Sequence, residues 1–333
     1  MNILITGGAG YIGSHVLKAL LEEGGHDITV VDNLYTGSLE AIQTLQKLGK
    51  FEFVKANIED LDQMKNIMVG KKIEAIIHFA AYIEVFESME KPLKYYLNNT
   101  ANAAALIKLA VESGVGKFIF SSTAATYGEP ESGVVDEKSA QTPINPYGKS
   151  KLMVEWILKD AASAHKDFKF VILRYFNVAG ASSDGLIGQN YPNATHLIKV
   201  ATQTITGKRE KMAIFGTDYD TPDGTCVRDY IHVEDLASAH LSALKYLANT
   251  GKSDVFNVGY GRGFSVREVV EEAKKVSGVD FKVELGARRD GDPAKLISDA
   301  TKLRTLTNWT PKHENLGEII ASALAWEKKL THL

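Results

Sequence analysis

The sequence predicts an α/β protein in which a doubly wound parallel sheet is accompanied by a smaller, discontinuous α/β domain. Two observations lead to this fold class. Short apolar runs alternate with amphipathic helical periods through the first 180 residues, and loops rich in Gly, Asp and Asn dominate after that point. Nearly continuous apolar strands that alternate with helices are typical of a parallel sheet covered on both faces.

The predicted strands are apolar runs bounded by turn signals, and the predicted helices have one apolar face. The strands lie at 2–6, 28–32, 51–55, 75–79, 117–122, 168–174 and 254–259. The helices lie around 12–23, 60–69, 100–113 and 148–164. Because the run at 254–259 resembles one more strand of the same sheet, we divide the chain into a first domain, 1–179 with about 231–261, and a second domain, 180–230 with 262–333.

Composition excludes several classes of protein. Of the 333 residues, 44% are hydrophobic, which is enough for a sizeable core, and the net charge of -3 gives no bulk attraction to nucleic acid or an anionic membrane. Cys226 is the only cysteine, so an intrachain disulfide and a cysteine-rich zinc site are both impossible. The sequence has no metal-binding motif, no signal-peptide pattern and no apolar run near the ~18 residues of a membrane span. We therefore expect a cytoplasmic protein without a metal.

A glycine-rich turn, "TGGAGYIGSH" at 6–15, separates the first predicted strand from the first helix. Gly7, Gly10 and Gly13 fit the spacing that lets a backbone approach a pyrophosphate at a helix N-terminus. Asp32 ends the second strand, where a carboxylate can accept hydrogen bonds from ribose hydroxyls and disfavours a 2′-phosphate. The combination predicts a Rossmann-type domain that binds NAD rather than NADP, although Asp32 could also be a helix cap or turn residue.

Tyr147 and Lys151 stand four residues apart in "NPYGKSK", at the start of a predicted helix. Such a pair can be ordinary surface packing. A nearby cation also favours a phenolate, but a Tyr that titrates near pH ~10 needs its pKa lowered by about 3 units to act near neutrality. One exposed Lys does not supply that shift, whereas an oxidised nicotinamide adds a second cation. With Thr123 at the end of the fifth strand, the three side chains suit hydride transfer at a secondary alcohol.

Several segments together resemble the extended short-chain dehydrogenase/reductase family, and more closely its UDP-glucose 4-epimerases. The resemblance covers nearly the whole chain and is carried by "TGGAGYIGSH", "VDNL", "IIHFAA", "PLKYYLNNT", "FIFSSTAATYG", "NPYGKSKLMVE", "LRYFNVAGA", "AIFGTDYDTPDGTCVRDYIHVEDLA" and "RRDGDP". The dehydratase branch would carry an Asp–Glu pair after Thr123. Ala124 and Ala125 stand there instead, so elimination of water is not expected.

The resemblance implies a redox cycle that interconverts UDP-glucose and UDP-galactose, and also their N-acetyl counterparts. Tyr147 would deprotonate the sugar 4-hydroxyl with Thr123 as hydrogen-bond partner, and the hydride would pass from C4 to NAD⁺. The 4-keto sugar would then rotate and take the hydride back on its other face. Lys151 would hold the nicotinamide ribose and lower the pKa of Tyr147.

Further contacts are implied by position. For the cofactor these are Gly7, Gly10, Tyr11, Ile12, Gly13, Asp32, Asn33, Asn57, Ile58, Phe79, Ala80, Asn98, Lys151 and Phe176. For the UDP-sugar, besides Thr123 and Tyr147, they are Asn177, Ala213, Ile214, Phe215, Arg228, Arg289, Asp292 and Leu296. Arg288 and Arg289 could otherwise be a solvated surface pair.

Three positions depart from the family pattern. Asn57 replaces an acid that faces the adenine amino group, and its amide oxygen can still accept that bond. Ile83, in "YIEVFES", replaces a Lys near the nicotinamide ribose. Leu296 stands where some members have a Tyr that closes the sugar pocket, so its smaller side chain predicts room for an N-acetyl group.

Two other functions stay open from the sequence. One is a sister NAD-dependent epimerase that acts mainly on N-acetylhexosamines or pentoses. The other is a catalytically silent NAD-binding regulator, against which the Thr123–Tyr147–Lys151 set argues, since a pure sensor has no need of a base. A homodimer is expected from the family, through the helices near 92–113 and 147–164.

Overall fold

The computed structural model describes residues 1–331. Within these residues, no helix combines the length and the apolar character that crossing a membrane requires. In chain order, the strands are β1 (Asn2–Thr6), β2 (Asp27–Asp32), β3 (Glu52–Lys55), β4 (Ala75–His78), β5 (Lys117–Thr123), β6 (Val134–Val135), β7 (Lys169–Tyr175), β8 (Asn177–Ala179), β9 (Met212–Phe215), β10 (Val227–His232), β11 (Asp254–Val258), β12 (Gly263–Ser265), β13 (Val283–Gly286) and β14 (Lys295–Ser298).

The helices cover both faces of the large sheet and also alternate with the strands of the second half of the chain. They are α1 (Tyr11–Glu23), α2 (Leu39–Leu45), α3 (Leu61–Gly70), α4 (Val85–Glu90), α5 (Pro92–Tyr95), α6 (Asn102–Glu112), α7 (Pro146–Ala164), α8 (Leu197–Ile205), α9 (Val233–Thr250), α10 (Val266–Ser277), α11 (Thr301–Thr307) and α12 (Leu316–Lys329). A π-helical turn, Tyr96–Ala101, joins α5 to α6.

The large sheet has seven parallel strands in the order β11-β7-β5-β4-β1-β2-β3. From β1 the chain first builds outward through β2 and β3 and then returns to build outward through β4 on the other side. This doubly wound order confirms the predicted Rossmann-type fold class. All seven predicted strands of this sheet are present, with each end within one residue of its prediction. The change of direction between β1 and β4 opens a crevice at the carboxyl ends of the strands.

Alternation along the buried strands divides the core into two layers. Ile3 and Ile5 of β1 pack on the side of α1 and α9, whereas Leu4 packs on the side of α3, α6 and α7. Since both faces of the sheet are covered, its strands are apolar along their whole length.

The remaining strands form a five-stranded mixed sheet and a two-stranded one. The first has the order β12-β10-β14-β6, with β8 also paired to β10, and the second pairs β13 with β9. β6 and β8 come from residues 1–179, so the five-stranded sheet takes strands from both predicted parts of the chain. The exact division into two domains stays a prediction.

Helix α7 begins where a cap and a proline direct it. The side chain of Asn145 accepts a hydrogen bond from the backbone N–H of Gly148 at 2.8 Å, and Pro146 occupies the first helical position. Both features favour helix initiation, because the Asn satisfies an orphan donor and Pro has the required φ. The helix therefore starts two residues before the predicted 148.

Three polar side chains on one face of α7 reach strand β5. The Tyr147 side chain lies beside that of Thr123, Lys151 Nζ donates to the Ser121 carbonyl at 3.0 Å, and Glu155 accepts from Ser122 Oγ at 2.6 Å. The spacing of four residues places these side chains one above another on the helix. We call these three contacts the α7–β5 ladder.

The lowest rung of this ladder is fixed by a buried ion pair. Arg174 of β7 donates to both carboxylate oxygens of Glu155, with Nε–Oε1 3.0 Å and Nη2–Oε2 2.6 Å. Arg174 also donates to the Tyr127 hydroxyl, which in turn donates to Asn257 Oδ1 at 2.6 Å. The network connects α7 with β5, β7 and β11 under the carboxyl edge of the sheet.

We expect Glu155→Ala to lower the free energy of unfolding by about 3–5 kcal/mol, because it leaves the Arg174 guanidinium buried without its counter-charge. Urea denaturation measures this loss. Glu112→Ala is the matched control, since its partner Lys108 is 73% exposed and exposed i,i+4 pairs contribute about 0.5 kcal/mol or less. An equal effect of the two substitutions would contradict the structural role of the buried pair.

Candidate active site

A cavity of about 510 Å³ lies at the crevice between β1 and β4 and extends toward the five-stranded sheet. The structure brings most of the predicted site residues to its wall. They are Gly7, Gly10, Tyr11, Ile12, Gly13, Asp32, Asn33, Asn57, Ile58, Phe79, Ala80, Asn98, Thr123, Tyr147, Phe176, Asn177, Arg228, Asp292 and Leu296.

The glycine turn is shaped for close backbone approach. Gly7 has φ +74°, and a Cβ on it would lie 2.6 Å from the backbone nitrogen of Ala80. A Cβ on Gly13 would lie 2.3 Å from the Gly7 carbonyl oxygen, so the first turn of α1 can pack against the loop only with glycine there. Gly10 caps α1 without a side chain. The first backbone N–H groups of α1 thus form a cradle that fits a diphosphate.

Asp32, the last residue of β2, stabilises the glycine turn by hydrogen bonds to its backbone. Its carboxylate accepts hydrogen bonds from the backbone N–H of Ala9 at 3.0 Å and of Leu34 at 2.7 Å. Burial raises the pKa of this carboxyl, and the backbone hydrogen bonds oppose that rise. A carboxylate on the cavity wall with part of its accepting capacity in use can still receive a ribose hydroxyl.

Asn57 is joined to Asn33 across the neighbouring loops. The Asn33 amide nitrogen donates to the Asn57 amide oxygen at 2.8 Å. This leaves Asn57 with one further lone pair and its own amide donors for a ligand. The predicted contact between Asn57 and adenine is therefore compatible with the hydrogen bond that the structure contains, and it stays a prediction.

The catalytic pair predicted from the sequence is buried. Burial raises the pKa of Tyr147 to about 12, although its hydrogen bond with Thr123 acts in the opposite direction. Burial also lowers the pKa of Lys151 to about 7. Lys151 does not reach the cavity wall, and its ammonium lies 5.0 Å from the centre of the Phe120 ring. Without a further cation, Tyr147 is thus a phenol at neutral pH.

The other end of the cavity holds part of the predicted nucleotide-binding set. Arg228 and Asp292 line the wall, with 3.9 Å between the guanidinium and the carboxylate. Arg289 instead stacks on Phe215, with 3.6 Å from its guanidinium carbon to the ring centre. Arg289 and Phe215 do not line the cavity in this structure, and Ala213 and Ile214 do not line it either. Their predicted substrate contacts stay predictions.

Leu296 lies on the wall of the same cavity as Thr123 and Tyr147. Its side chain, 6% exposed, belongs to a small apolar cluster with Ala124, Tyr127, Val135 and Phe176. The side chain is therefore both a packing residue and a boundary of the cavity.

Several side chains on this wall were not predicted from the sequence. They include Tyr82, Tyr95, Tyr175, Tyr191 and His196. His196 Nδ1 lies 3.1 Å from the Gln189 amide nitrogen, and burial lowers the pKa of its imidazole. Tyr175 could have been found, since it ends a strand of the same sheet as Thr123. His196 lies in a loop whose approach to the cavity no local pattern indicates.

Among residues 1–331, one group of three potential metal ligands comes together, namely His232, Glu234 and His313. Both ring nitrogens of His232 already have partners, because Nδ1 accepts from the Glu234 backbone and Nε2 lies 3.1 Å from Ser322 Oγ. A metal ligand needs a free lone pair on nitrogen. We therefore assign no metal to this cluster.

Comparison with known proteins identifies the family. Residues 3–259 match the model of the NAD dependent epimerase/dehydratase family. The chain is 51% identical to a UDP-glucose 4-epimerase of Azospirillum brasilense over 99% of its own length and 92% of that protein. The chain belongs to the NAD-dependent epimerase/dehydratase family. The resemblance drawn from the sequence is thereby confirmed.

Solved structures of family members agree over the whole length. The UDP-Glc/GlcNAc 4-epimerase from Campylobacter jejuni is 59% identical, with a TM-score of 0.86 over 98% of this chain and 99% of that one. The UDP-glucose 4-epimerase from Bifidobacterium longum, in complex with NAD⁺ and UDP, is 35% identical with a TM-score of 0.94 over 99% and 98%. NAD, predicted from Asp32 and the glycine turn, is the cofactor of this family, and the cradle on α1 fits its diphosphate.

We expect the Tyr147 phenolate to form at lower pH in protein that carries NAD⁺ than in protein that carries NADH. A positive nicotinamide favours the charged form of a nearby phenol, whereas its neutral reduced form does not. The measurement is a phenolate absorbance titration, with Tyr147→Phe subtracted as the control. Coincident titrations of the two redox states would contradict a role for the cofactor charge.

Proposed function

We propose that this family member is an isomerase that interconverts UDP-glucose and UDP-galactose through a 4-keto intermediate, and that it also accepts the N-acetyl counterparts. The observation that carries the proposal is the placement of Thr123 and Tyr147 side by side on the wall of the cavity that also contains the glycine turn. A proton acceptor for an alcohol and a cradle for a dinucleotide share one site. Such an activity serves galactose metabolism.

The proposed mechanism divides the work among three side chains. Bound NAD⁺ supplies the acceptor, and then the donor, of the sugar C4 hydride. Tyr147 takes the proton of the 4-hydroxyl and later returns it, while Thr123 passes a hydrogen bond between the phenol and the sugar oxygen. Lys151, held by the Ser121 carbonyl, places a cation behind Tyr147 when it is protonated. Arg228, Arg289 and Asp292 bind the nucleotide part of the substrate.

Substrate entry requires a rearrangement of one of these residues. Arg289 stacks on Phe215 in the structure, so its guanidinium must leave the ring to reach a diphosphate. A guanidinium over an aromatic face is stabilised by about 0.5–1 kcal/mol at an exposed site. A charge-assisted hydrogen bond to a phosphate offsets a loss of that size.

We further propose that the protein is a cytoplasmic homodimer. Three large apolar side chains, Leu93, Leu97 and Trp156, are 72%, 65% and 53% exposed on α5, the π-helical turn and α7. Their burial against a second copy would remove apolar surface from water. Sedimentation velocity distinguishes this dimer from the 36.4 kDa monomer. A single cysteine fits a reducing compartment.

Incubation with UDP-galactose and analysis of the products test the activity. Wild-type protein should form UDP-glucose, and Tyr147→Phe should lose turnover by about 10² to 10⁴, because the general base is removed. The variant should keep its fold and bound NAD. Near-normal turnover by Tyr147→Phe would contradict the assigned base, and no turnover by NAD-loaded wild-type protein would favour the silent regulator.

The range of sugars tests the role of Leu296. We expect Leu296→Tyr to lower kcat/KM for UDP-GlcNAc several-fold or more relative to UDP-glucose, because the ring fills space that an acetamido group needs. One buried methyl group is worth about 0.8 kcal/mol, which is enough for a preference but not for exclusivity. Leu296→Met, which nearly conserves volume, is the matched control. Unchanged N-acetyl turnover in Leu296→Tyr would assign the boundary of the sugar pocket to other residues.

A further inference from the structure

Two tyrosines from different loops meet above the cofactor cradle. Tyr35 belongs to the loop after β2, and Tyr82 belongs to the loop after β4. Their rings make an edge-to-face contact with centres 5.2 Å apart, and both side chains line the cavity. Tyr35 is 58% exposed, so burial in the core does not explain this contact.

The order of the strands determines what the contact spans. In the large sheet β1 lies between β2 and β4, so the loops after β2 and β4 flank the glycine turn after β1. A contact between Tyr35 and Tyr82 therefore bridges the opening above the N-terminus of α1. Asp32 and Tyr147 line the same cavity as the two rings, so a molecule that reaches from one to the other lies close to this bridge.

Lys94 of α5 fastens the two rings. Its ammonium lies 4.1 Å from the centre of the Tyr82 ring and 5.4 Å from that of Tyr35. The same ammonium donates to both oxygens of Glu87, at 2.8 and 2.9 Å, and Glu87 also accepts from the Tyr95 hydroxyl. Although partial burial lowers the pKa of Lys94, its hydrogen bonds to Glu87 and Tyr35 outweigh that effect and raise it. Lys94 is thus a cation at neutral pH.

The backbone of Tyr82 is also held in place, by two hydrogen bonds with the side chain of Asn99. Asn99 accepts a hydrogen bond from the Tyr82 backbone N–H at 2.9 Å and donates to the Tyr82 carbonyl at 2.9 Å. Asn99 is 2% exposed and lies in the π-helical turn, next to Asn98 on the cavity wall. Tyr82 and Lys94 are thus held by residues of other elements, whereas the Tyr35 backbone is held by Asn33 of its own loop, to which its N–H donates at 2.9 Å.

We propose that Tyr35, Tyr82 and Lys94 form a latch across the cofactor cleft that slows the dissociation of NAD. This inference rests on the proposed function, in which the redox cycle regenerates its own cofactor and gains nothing from releasing it. Edge-to-face aromatic pairs and cation–π contacts together are expected to slow dissociation about three- to tenfold. The latch acts on the dissociation rate, because a closing segment must open before the ligand leaves.

The test measures the release of NAD⁺ from purified holoenzyme. An excess of alcohol dehydrogenase with ethanol reduces every released NAD⁺, and the rise in absorbance at the NADH band gives the dissociation rate. We expect Lys94→Met and Tyr35→Leu each to raise this rate about three- to tenfold. Tyr35→Phe keeps the ring and loses only the hydroxyl that accepts a long hydrogen bond of 3.4 Å from Lys94, so it should release NAD⁺ within about twofold of the wild-type rate.

Lys91→Met is the matched control for Lys94→Met. The ammonium of Lys91 also pairs with Glu87, at 3.3 Å, but the Lys91 side chain is 61% exposed. Among the described residues, Lys91 has no ion-pair partner other than Glu87. Its removal should leave the dissociation rate within about twofold. A double variant, Lys94→Met with Tyr35→Leu, should release NAD⁺ no faster than the faster single variant, because both substitutions open one latch.

The outcomes separate the latch from the function on which it rests. Wild-type protein that contains no NAD after purification would overturn the latch and would also favour a dissociable dehydrogenase cofactor over the proposed self-regenerating cycle. NAD-loaded wild-type protein whose dissociation rate is unaltered by Lys94→Met would overturn the latch alone. Equal effects of Lys91→Met and Lys94→Met, or additive effects in the double variant, would also overturn it.

Discussion

The α7–β5 ladder is the constraint on which the site depends. Tyr147, Lys151 and Glu155 project from one helical face and contact Thr123, Ser121 and Ser122, respectively, at the end of β5. The buried Arg174–Glu155 pair anchors the ladder to β7, so the helix cannot rotate or slide without exposing a charge to an apolar interior. Since Thr123 and Tyr147 are the uppermost rung, their relative position is set by Lys151, Glu155 and Arg174, which do not line the cavity. This is the arrangement that a reaction sensitive to small displacements requires.

Burial disfavours the charged form of both members of the predicted catalytic pair, Tyr147 and Lys151. Desolvation disfavours both the Tyr147 phenolate and the Lys151 ammonium, so at pH 7 Tyr147 stays a phenol and Lys151 titrates near neutrality. In the proposed mechanism, an oxidised nicotinamide would supply the positive charge that favours the Tyr147 phenolate, and its neutral reduced form would not.

Prediction from sequence succeeded where local pattern and tertiary structure agree. Strands of the seven-stranded sheet are buried on both faces, so each appears as an apolar run, and Gly7 and Gly13 are required by close backbone contacts that only glycine permits. It was less complete in the second half of the chain. There β6 and β14 pair residues more than 150 positions apart, and short strands of two to four residues carry little periodicity. The π-helical turn before α6 and the loop that presents His196 follow from packing rather than from propensity.

The sequence by itself determined the fold class and the cofactor, and it predicted catalytic roles for Thr123, Tyr147 and Lys151, because glycine spacing, a strand-end carboxylate and an i,i+4 pair are local features. Only the tertiary structure decided the pKa values of Tyr147 and Lys151, since burial depends on every element that packs around these two side chains. It also decided that Arg289 rests on Phe215 and that Tyr35 meets Tyr82 above the glycine turn. Those contacts join residues far apart in the chain. No local pattern contains them, because they arise only when the sheet order brings their loops together.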